Sequence, residues 1–347
     1  MSESEFVPPA LRKGVTPAKA YDQAMPVLDS SSAVPRPAGP GQPALSLVLV
    51  VYDMPDQAER TIASLSVPYQ RGVVAADYEI IVVENESPDM LGPRRAEAAA
   101  PNVRYFAHQD AVPTPVGAAN FGGQQARGAM IGLLIDGARM VTPGVVANIL
   151  AARRLGPDVV VAVPGYHIGS QRQQDAAQEG YDERAEAELL AGIGWPEDGY
   201  RLFDIAVFSG TSRSGWFRPV HESNCLCLPR HLWEELAGLS PEFVSPGGGH
   251  VNLDFYRRAI DHPRSVPVIL FGEGTFHQFH GGVTTGGTDG AERQAIIDGA
   301  FEEYERVRGA GFRQPTKRAI LFGAMPDQAA PFLKHAAELM IHRPERD

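Results

Sequence analysis

Short apolar runs that end in polar residues set the plan of the first half of this chain. Leu45–Val51 is a run of leucine and valine with Ser46 as its one polar residue, and Tyr78–Val83 repeats the plan after a stretch, 56–65, with apolar residues at helical spacing. Runs of this length bounded by turn residues are typical of strands buried on both faces of a parallel sheet. Two such strands joined by a helix predict a right-handed βαβ unit.

A third run, Met130–Ile135, is also short and uncharged, and Asp136 ends it. Asp53 and Glu84 follow the first two runs in the same way. The carboxyl ends of parallel strands meet at one edge of a sheet, where open α/β sheets bind ligands. We therefore expect the three acids at one edge, with a nucleotide across them. The alternative is that Asp136 only caps the turn before the next helix.

The remaining pattern predicts further elements on either side of a polar insertion. Strands are predicted over 103–107 and 158–163, and helices over 118–127, 145–154, 182–191, 291–308 and 331–342. Residues 165–204 are polar and rich in Gln, which predicts either a lid or acceptor wall beside the substrate edge, or a surface excursion. The last two helices have apolar faces and predict packing or homodimer elements.

Composition bounds the kind of protein to which such a sheet belongs. The chain of 347 residues is 44% hydrophobic and 21% charged, which is typical of a globular protein with one large or two ordinary domains. No apolar run approaches the ~20 residues of a membrane helix, and the start has no signal pattern. We therefore expect no membrane span and a cytoplasmic location. The formal charge of −11 argues against a nucleic-acid partner.

Residues 1–43 are rich in Pro, Ser and Ala, a composition that cannot bury enough surface to fold alone and predicts a linker or arm. The only two cysteines are Cys225 and Cys227. On one strand their Cα atoms would lie roughly 6.6 Å apart, near the upper limit for a disulfide. We expect both to be reduced and structural, and two cysteines alone make no zinc site.

At this point the ordered segments resemble a known family. LSLVLVVYDMPDQAERTIASL, DYEIIVVENESPD and GAANFGGQQARGAMIGLLIDGARMVTPG together resemble the nucleotide-sugar-binding half of family 2 glycosyltransferases of the A-type fold. The resemblance covers about residues 44–285. It implies an α/β fold with a Rossmann-like, mixed, mainly parallel central sheet flanked by helices, here followed by a C-terminal helical extension.

The resemblance also implies roles for individual residues at the donor site. In that family an Asp-x-Asp motif after the third strand holds the ribose and a divalent metal on the diphosphate, and Asp136 matches its first acid. The residues that would border the nucleoside, ribose or phosphates are Tyr52, Asp53, Glu84, Asn85, Gly117, Asn120, Arg127 and Arg139.

This chain departs from the motif at a position that supplies a metal ligand. Ala138 stands at the third position, so one carboxylate ligand is absent. One alternative is that fewer acids hold the metal together with ligands from elsewhere. The other is that a cation such as Arg139 partly neutralises the diphosphate. The sequence leaves both open.

The acceptor segment, HESNCLCLPRHLWEELAGLSPEFVSPGGG, also resembles the family, but the next loop does not keep its acids. Asn252 stands where the family has the base that deprotonates the acceptor, and an amide cannot take a proton at neutral pH. Either His250 or Asp254 serves as the base, or the chemistry is retaining, as in the polypeptide N-acetylgalactosaminyltransferases that this Asn-Leu-acid pattern resembles. Inverting and retaining chemistry both stay open.

Two histidines in a Gly-rich stretch, His277 and His280, lie three residues apart with Glu273 before them. We expect these groups to turn toward one centre and the two imidazoles to join Asp136 as ligands of Mn or Mg, replacing what Ala138 lacks. The alternative is one histidine bonded to backbone and one solvated.

These observations predict a metal-assisted glycosyltransferase that moves a sugar from a nucleoside-diphosphate sugar to a small-molecule or glycan acceptor. The domain is expected over 44–285, with a nucleotide-sugar-binding half, 44–164, and an acceptor half, 165–285. Residues 286–347 would form the helical extension. The competing interpretations are a non-catalytic sugar-nucleotide-binding protein and a metal-dependent hydrolase built on the two histidines.

Overall fold

The structure is a computed structural model that describes residues 41–109, 113–176, 179–280 and 290–342. Most of the predicted arm, 1–43, therefore lies outside the described residues, as do residues 281–285 at the end of the expected transferase domain. The domain boundaries stay predictions. Within the described ranges, no helix is both long enough and apolar enough to cross a membrane.

The strands have the following bounds in chain order: β1 Leu45–Val51, β2 Tyr78–Asn85, β3 Val103–His108, β4 Met130–Leu134, β5 Arg139–Val141, β6 Val159–Ala162, β7 Gly165–Ile168, β8 Ala206–Phe208, β9 Leu226–Pro229, β10 Val266–Leu270, β11 Thr275–His277 and β12 Ile320–Phe322. The helices are α1 Pro55–Leu65, α2 Gly92–Ala98, α3 Val116–Gln125, α4 Val145–Ala152, α5 Gln173–Ala176, α6 Glu183–Gly192, α7 Arg230–Glu235, α8 Val251–Asp261, α9 Gly290–Arg308 and α10 Ala330–His342. Each helix predicted from the apolar pattern is present, with both ends within two residues of the prediction.

A mixed, mainly parallel sheet lies at the centre of the described chain. Its strand order is β12-β10-β6-β9-β4-β1-β2-β3, and only β9 runs antiparallel to its neighbours. Alternate residues of β1 enter different cores: Leu47 and Leu49 join the apolar cluster under α1 and α4, while Val48 and Val50 join the cluster under α3 and α8. The predicted α/β class, with a mainly parallel sheet flanked by helices, is confirmed.

Because β9 is antiparallel, the residues that precede it lie at the edge of the sheet where β4 and β6 end. Leu226, its first residue, pairs with Leu133 near the carboxyl end of β4 and with Ala162 at the end of β6. Residues just before β9 therefore lie at the same edge as Asp136. Cys225 and Cys227 are buried and free, as predicted.

A second, smaller sheet has the order β5-β11-β7-β8. His277 at the end of β11 pairs with Arg139 of β5 on one side and with His167 of β7 on the other. Because β5 follows the turn after β4 directly, this pairing brings residue 277 next to residue 136.

Candidate metal and nucleotide site

Asp136, His277 and His280 form one cluster at the carboxyl edge of β4. Their ligand atoms all lie within 4.8 Å of one another. His277 Nε2 lies 3.0 Å from His280 Nε2 and 3.0 Å from Asp136 Oδ2, and His280 Nε2 lies 3.8 Å from the same oxygen. The structure thus brings Asp136 together with two histidines that lie more than 130 residues further along the sequence.

The donor set and its spacing fit a divalent ion. With bonds of about 2.1 Å, ligands at right angles around one ion lie about 3 Å from each other. Two of the three distances in the cluster match that separation. Two imidazole nitrogens and one carboxylate oxygen suit Mn or another first-row ion better than Mg, which prefers oxygen ligands.

The charges at the cluster favour the forms that bind a metal. Burial alone would raise the pKa of Asp136, but His277, His280 and the Arg139 guanidinium hold it well below its usual range. Burial, and then the charge of Arg139, lowers the pKa of His277 to about 3. At neutral pH the cluster therefore offers an ionised carboxylate and a neutral imidazole at His277, which are the protonation states that ligate.

The loop that carries the two histidines is fixed to its surroundings by its backbone. Gln278 N donates to Ala138 O at 2.9 Å, and Phe279 N donates to Glu186 Oε2 at 2.6 Å. The Gln278 side chain donates to Gln57 O and accepts from Arg60 Nε. Glu186 lies on α6, so the polar insertion 165–204 supports the histidine loop.

Glu186 gives a first prediction, on the pH dependence of stability. Burial raises its pKa to about 7 from the ordinary value of 4.5, so the folded protein keeps a proton that the unfolded chain releases between these values. The stabilisation is complete below pH 4.5 and is lost as the pH rises through about 7. Glu186→Gln should therefore gain stability relative to wild type over that interval. Urea midpoints in chelator from about pH 5 to about pH 8 measure this.

Glu188→Gln, an exposed change on the same helix, is the control and should show no such trend. A difference between Glu186→Gln and wild type that stays constant over the whole range contradicts the prediction.

The predicted strand-end residues are at the expected edge. Val51 of β1 pairs with Glu84 of β2, and Leu49 pairs with Leu134 of β4. Asp53, Glu84 and Asp136 therefore all lie at the edge of the sheet where these strands end. Asp53 has a φ of +54°, which few residues other than glycine adopt, and its carboxylate accepts from Asp89 N. This turn leaves Tyr52 half exposed, available for contact with a planar base.

Glu84 does not have the predicted role, because it is fully buried and occupied. Its two oxygens accept from Leu91 N, Gly92 N and Tyr105 Oη. It therefore fixes the start of α2 and cannot border a nucleoside. Asn85 beside it is buried with an Oδ1 that has no hydrogen-bond partner among the described residues.

Two predicted donor residues make other contacts in the structure. Arg127 N donates to Ser46 Oγ and Glu79 Oε1, near the starts of β1 and β2, so Arg127 lies at the opposite edge of the sheet from Asp136. At ~3.3 Å per residue, β4 alone separates the two by more than about 15 Å. The Asn120 side chain makes two hydrogen bonds to the Leu239 backbone: Nδ2 donates to Leu239 O, and Oδ1 accepts from Leu239 N. Gly117 lies in the first turn of α3, where its role stays a prediction.

Ala138 stands at the third position of the Asp-x-Asp pattern, and Arg139 follows it directly. Arg139 Nε donates to Asp136 Oδ2 at 3.2 Å, and its Nη1 is buried without a partner in the described part of the chain. Ala138 is fully buried in the apolar cluster that includes Leu49 and Met54. The third motif position is therefore part of the core and does not face the ligand cluster.

Glu273, which precedes the two histidines in sequence, does not turn toward them. Its carboxylate is buried and accepts from Thr142 Oγ1, Asn148 Nδ2 and Tyr200 Oη. It links α4 to the end of the insertion instead.

The predicted acceptor loop leads into α8, and the predicted catalytic residues lie on two different faces of this helix. His250 packs on α9, with its ring centroid 4.3 Å from that of Phe301, and burial lowers its pKa. Asp254 is 1% exposed and accepts from Arg258 and Arg308 through both oxygens. Neither side chain is bonded to the metal-ligand cluster, and Asp254 could act as a base only by losing an ion pair.

A second prediction follows from these contacts of Asp254. Asp254→Asn should destabilise the protein by about 2 kcal/mol, because it leaves two partly buried guanidinium groups without their carboxylate. The free energy of unfolding in urea measures this. Asp261→Asn removes an exposed ion pair from the same helix and should cost under about 0.5 kcal/mol. Equal stability of the two variants contradicts a structural role for Asp254.

Asn252, on a different face of α8 from Asp254, contacts the segment that precedes β9. Asn252 Nδ2 donates to Glu222 Oε2 at 3.2 Å, and Arg139 acts electrostatically on the same carboxyl. Sequence reasoning missed Glu222 because the direction of β9 cannot be read from residues alone. It also missed His167 and Gln173: Gln173 N donates to His167 Nδ1, and its side chain donates to His277 O.

Neither the family models nor the curated proteins include a match to this chain. Among solved structures, S. aureus TarS is similar at 12% identity with a TM-score of 0.46, over 87% of this chain and 49% of that one, so this chain spans about half the length of TarS. A TarS fragment, residues 1–349, was solved with UDP-GlcNAc.

Two further solved structures are similar. The mannosyltransferase PcManGT of Pyrobaculum calidifontis, in complex with GDP-Man and Mn²⁺, is 15% identical with a TM-score of 0.43, over 94% of this chain and 76% of that one. Glucosyl-3-phosphoglycerate synthase of Mycobacterium tuberculosis is 16% identical with a TM-score of 0.44, over 79% and 83%.

Proposed function

We propose that this protein is a metal-assisted glycosyltransferase that transfers a sugar from a nucleoside-diphosphate sugar to a hydroxyl or amine acceptor. The observation that carries the proposal is the cluster of Asp136, His277 and His280 beside Arg139, at the edge where parallel strands end. A sugar diphosphate brings about two negative charges to a chain of formal charge −11, so its site must supply cations locally.

Asp136, His277 and His280 would hold a divalent ion, which when bound neutralises charge on the departing diphosphate. The chain adds its own cation: the partnerless Nη1 of Arg139 can donate to a phosphate oxygen. The half-exposed ring of Tyr52 would stack on the base, and the free Oδ1 of Asn85 would accept from a base N–H. Asp53 and Gly117 would border the nucleoside and phosphates.

We also propose a reducing, cytoplasmic location, which the two buried free cysteines support. The donor base, its sugar and the acceptor are left to experiment. UDP-GlcNAc and GDP-Man, named with the neighbours above, are suitable first probes.

Calorimetric titration of UDP and GDP tests the donor site directly. Binding should require Mn²⁺, fall in excess chelator, and weaken at least about tenfold in Asp136→Asn, because a charge-assisted contact contributes about 1.5–3 kcal/mol. Asp204→Asn, a half-exposed acid paired with Arg201, is the control. Incubation with nucleotide sugars then separates the interpretations: a transferase releases nucleotide faster with an acceptor, a hydrolase needs none, and a binding protein releases nothing. Absence of Mn-dependent nucleotide binding contradicts the proposal.

A further inference from the structure

The inference concerns Glu222, which lies four residues before β9. Because Leu226 pairs with Leu133 near the end of β4, the segment that precedes Leu226 continues past the carboxyl edge of the sheet, toward the ligand cluster. Val163 N donates to both Cys225 O and Ser223 Oγ, which fixes this segment to the end of β6. Glu222 is intermediate between buried and exposed as a residue, and the contacts of the segment on both sides of it hold it in place.

The groups that surround the Glu222 carboxyl are mostly neutral. Asn252 donates to it, and side chains of Thr211 and Asn224 also bond to it. Asn252 in turn contacts Asn224 Oδ1 at 3.3 Å, so the amides and the acid form one network. Arg139 acts electrostatically on both Glu222 and Asp136. Glu222 therefore lies near the same guanidinium group as the ligand cluster.

The environment suits a group that takes up a proton. Burial raises the pKa of Glu222, while Arg139 and the hydrogen bonds of Asn252 and Thr211 oppose the shift. A carboxylate with a raised pKa is a stronger base than an exposed one. The other candidates are occupied, since Asp254 is held by two arginines and His250 packs on α9.

We propose that Glu222 is the general base that deprotonates the acceptor, in place of an acid on the loop before α8. The inference rests on the proposed transferase function. The acceptor O–H gives its proton to the Glu222 carboxylate as the oxygen bonds to the anomeric carbon. The bond from that carbon to the diphosphate oxygen breaks, and the nucleoside diphosphate leaves with the electron pair. Attack from the side opposite the diphosphate inverts the anomeric configuration. Asn252 is a positioning residue that holds the base.

The test measures nucleotide release from UDP-GlcNAc and GDP-Man with Mn²⁺, using water and then glycerol as acceptors. Glu222→Gln should lower the rate of release at least about 100-fold and leave the affinity for UDP or GDP within about threefold. Glu234→Gln, an exposed acid on α7, should match wild type. The acid limb of the pH–rate profile should be present in wild type and absent in Glu222→Gln.

Asn252→Ala supplies a second measurement that does not depend on how Glu222→Gln folds. Loss of a hydrogen bond to the charged form raises the pKa of the base, so the acid limb should move to higher pH with unchanged nucleotide affinity. A merely structural Asn252 would lower the rate without moving the limb.

Each outcome decides a different point. Release by Glu222→Gln within about fivefold of wild type, with the acid limb intact, overturns the role of Glu222 and leaves the proposed function standing. Nucleotide binding by wild type without release from either donor also overturns the role of Glu222, although the donor site stands. Absence of Mn-dependent nucleotide binding in wild type overturns the proposed function and this inference together.

Discussion

Replacing both histidines of the cluster by alanine should abolish the effect of Mn²⁺ on nucleotide binding. His277 and His280 supply two of the three protein ligand atoms that lie within 4.8 Å of one another, and Asp136 alone is too little for a divalent ion. Loss of a group that only supports a metal ligand already costs about 10–100-fold in affinity, so loss of two ligands should cost more than about 100-fold. Calorimetry with Mn²⁺ and UDP or GDP measures the change.

Two comparisons make this result specific. His335→Ala changes an exposed histidine of α10 and should leave the Mn²⁺ effect intact. Each single variant should retain part of the effect, because one imidazole and Asp136 remain. Undiminished stimulation by Mn²⁺ in the double variant would exclude the two histidines as ligands.

Introducing the second acid of an Asp-x-Asp motif, by Ala138→Asp, should damage the protein instead of completing the proposed metal site. The methyl group of Ala138 is fully buried in an apolar cluster, so a carboxylate there would lose its water without gaining a cation. Leaving a charge buried and unpaired costs about 3–5 kcal/mol, and we expect a loss of about 4 kcal/mol in the free energy of unfolding. Urea denaturation in chelator measures it.

Ala76→Asp, an exposed change in the turn before β2, is the matched control and should cost under about 0.5 kcal/mol. Wild-type stability of Ala138→Asp together with tighter Mn²⁺ binding would show that residue 138 can reach the metal after all.

The sequence was most informative where one strong local pattern decides the structure. Strands such as Leu45–Val51 are buried on both faces, and their continuous apolar composition shows this directly. Short strands of the second sheet, β5 and β11 among them, escaped prediction because three residues carry no period and their partners are far away in sequence.

The errors at the site have a common physical origin. The resemblance implied that Arg127 and Asn120 border the donor but could not show that α3 runs back to the opposite edge of the sheet. Likewise, an acid at the end of a strand has the same sequence pattern whether it joins a cluster of possible metal ligands, as Asp136 does, or caps a backbone segment, as Glu84 does. Only the tertiary pairing separates these cases.

The direction of a single strand explains the residue that was missed. Had β9 run parallel to β4, Glu222 would lie at the opposite edge of the sheet, too far from Arg139 to interact with its charge. Neither composition nor period distinguishes the two directions, since β9 is buried on both faces in either case.

The backbone hydrogen bonds of the histidine loop determine how ordered the proposed metal site should be in the protein without an ion. The amides of Gln278 and Phe279 both donate within the fold, so their hydrogens should exchange with deuterium slowly even in chelator, unlike those of an exposed Gly-rich loop. A loop that is ordered in the free protein has little conformational entropy left to lose. Binding of the ion should therefore be fast and change the exchange rates elsewhere in the chain very little.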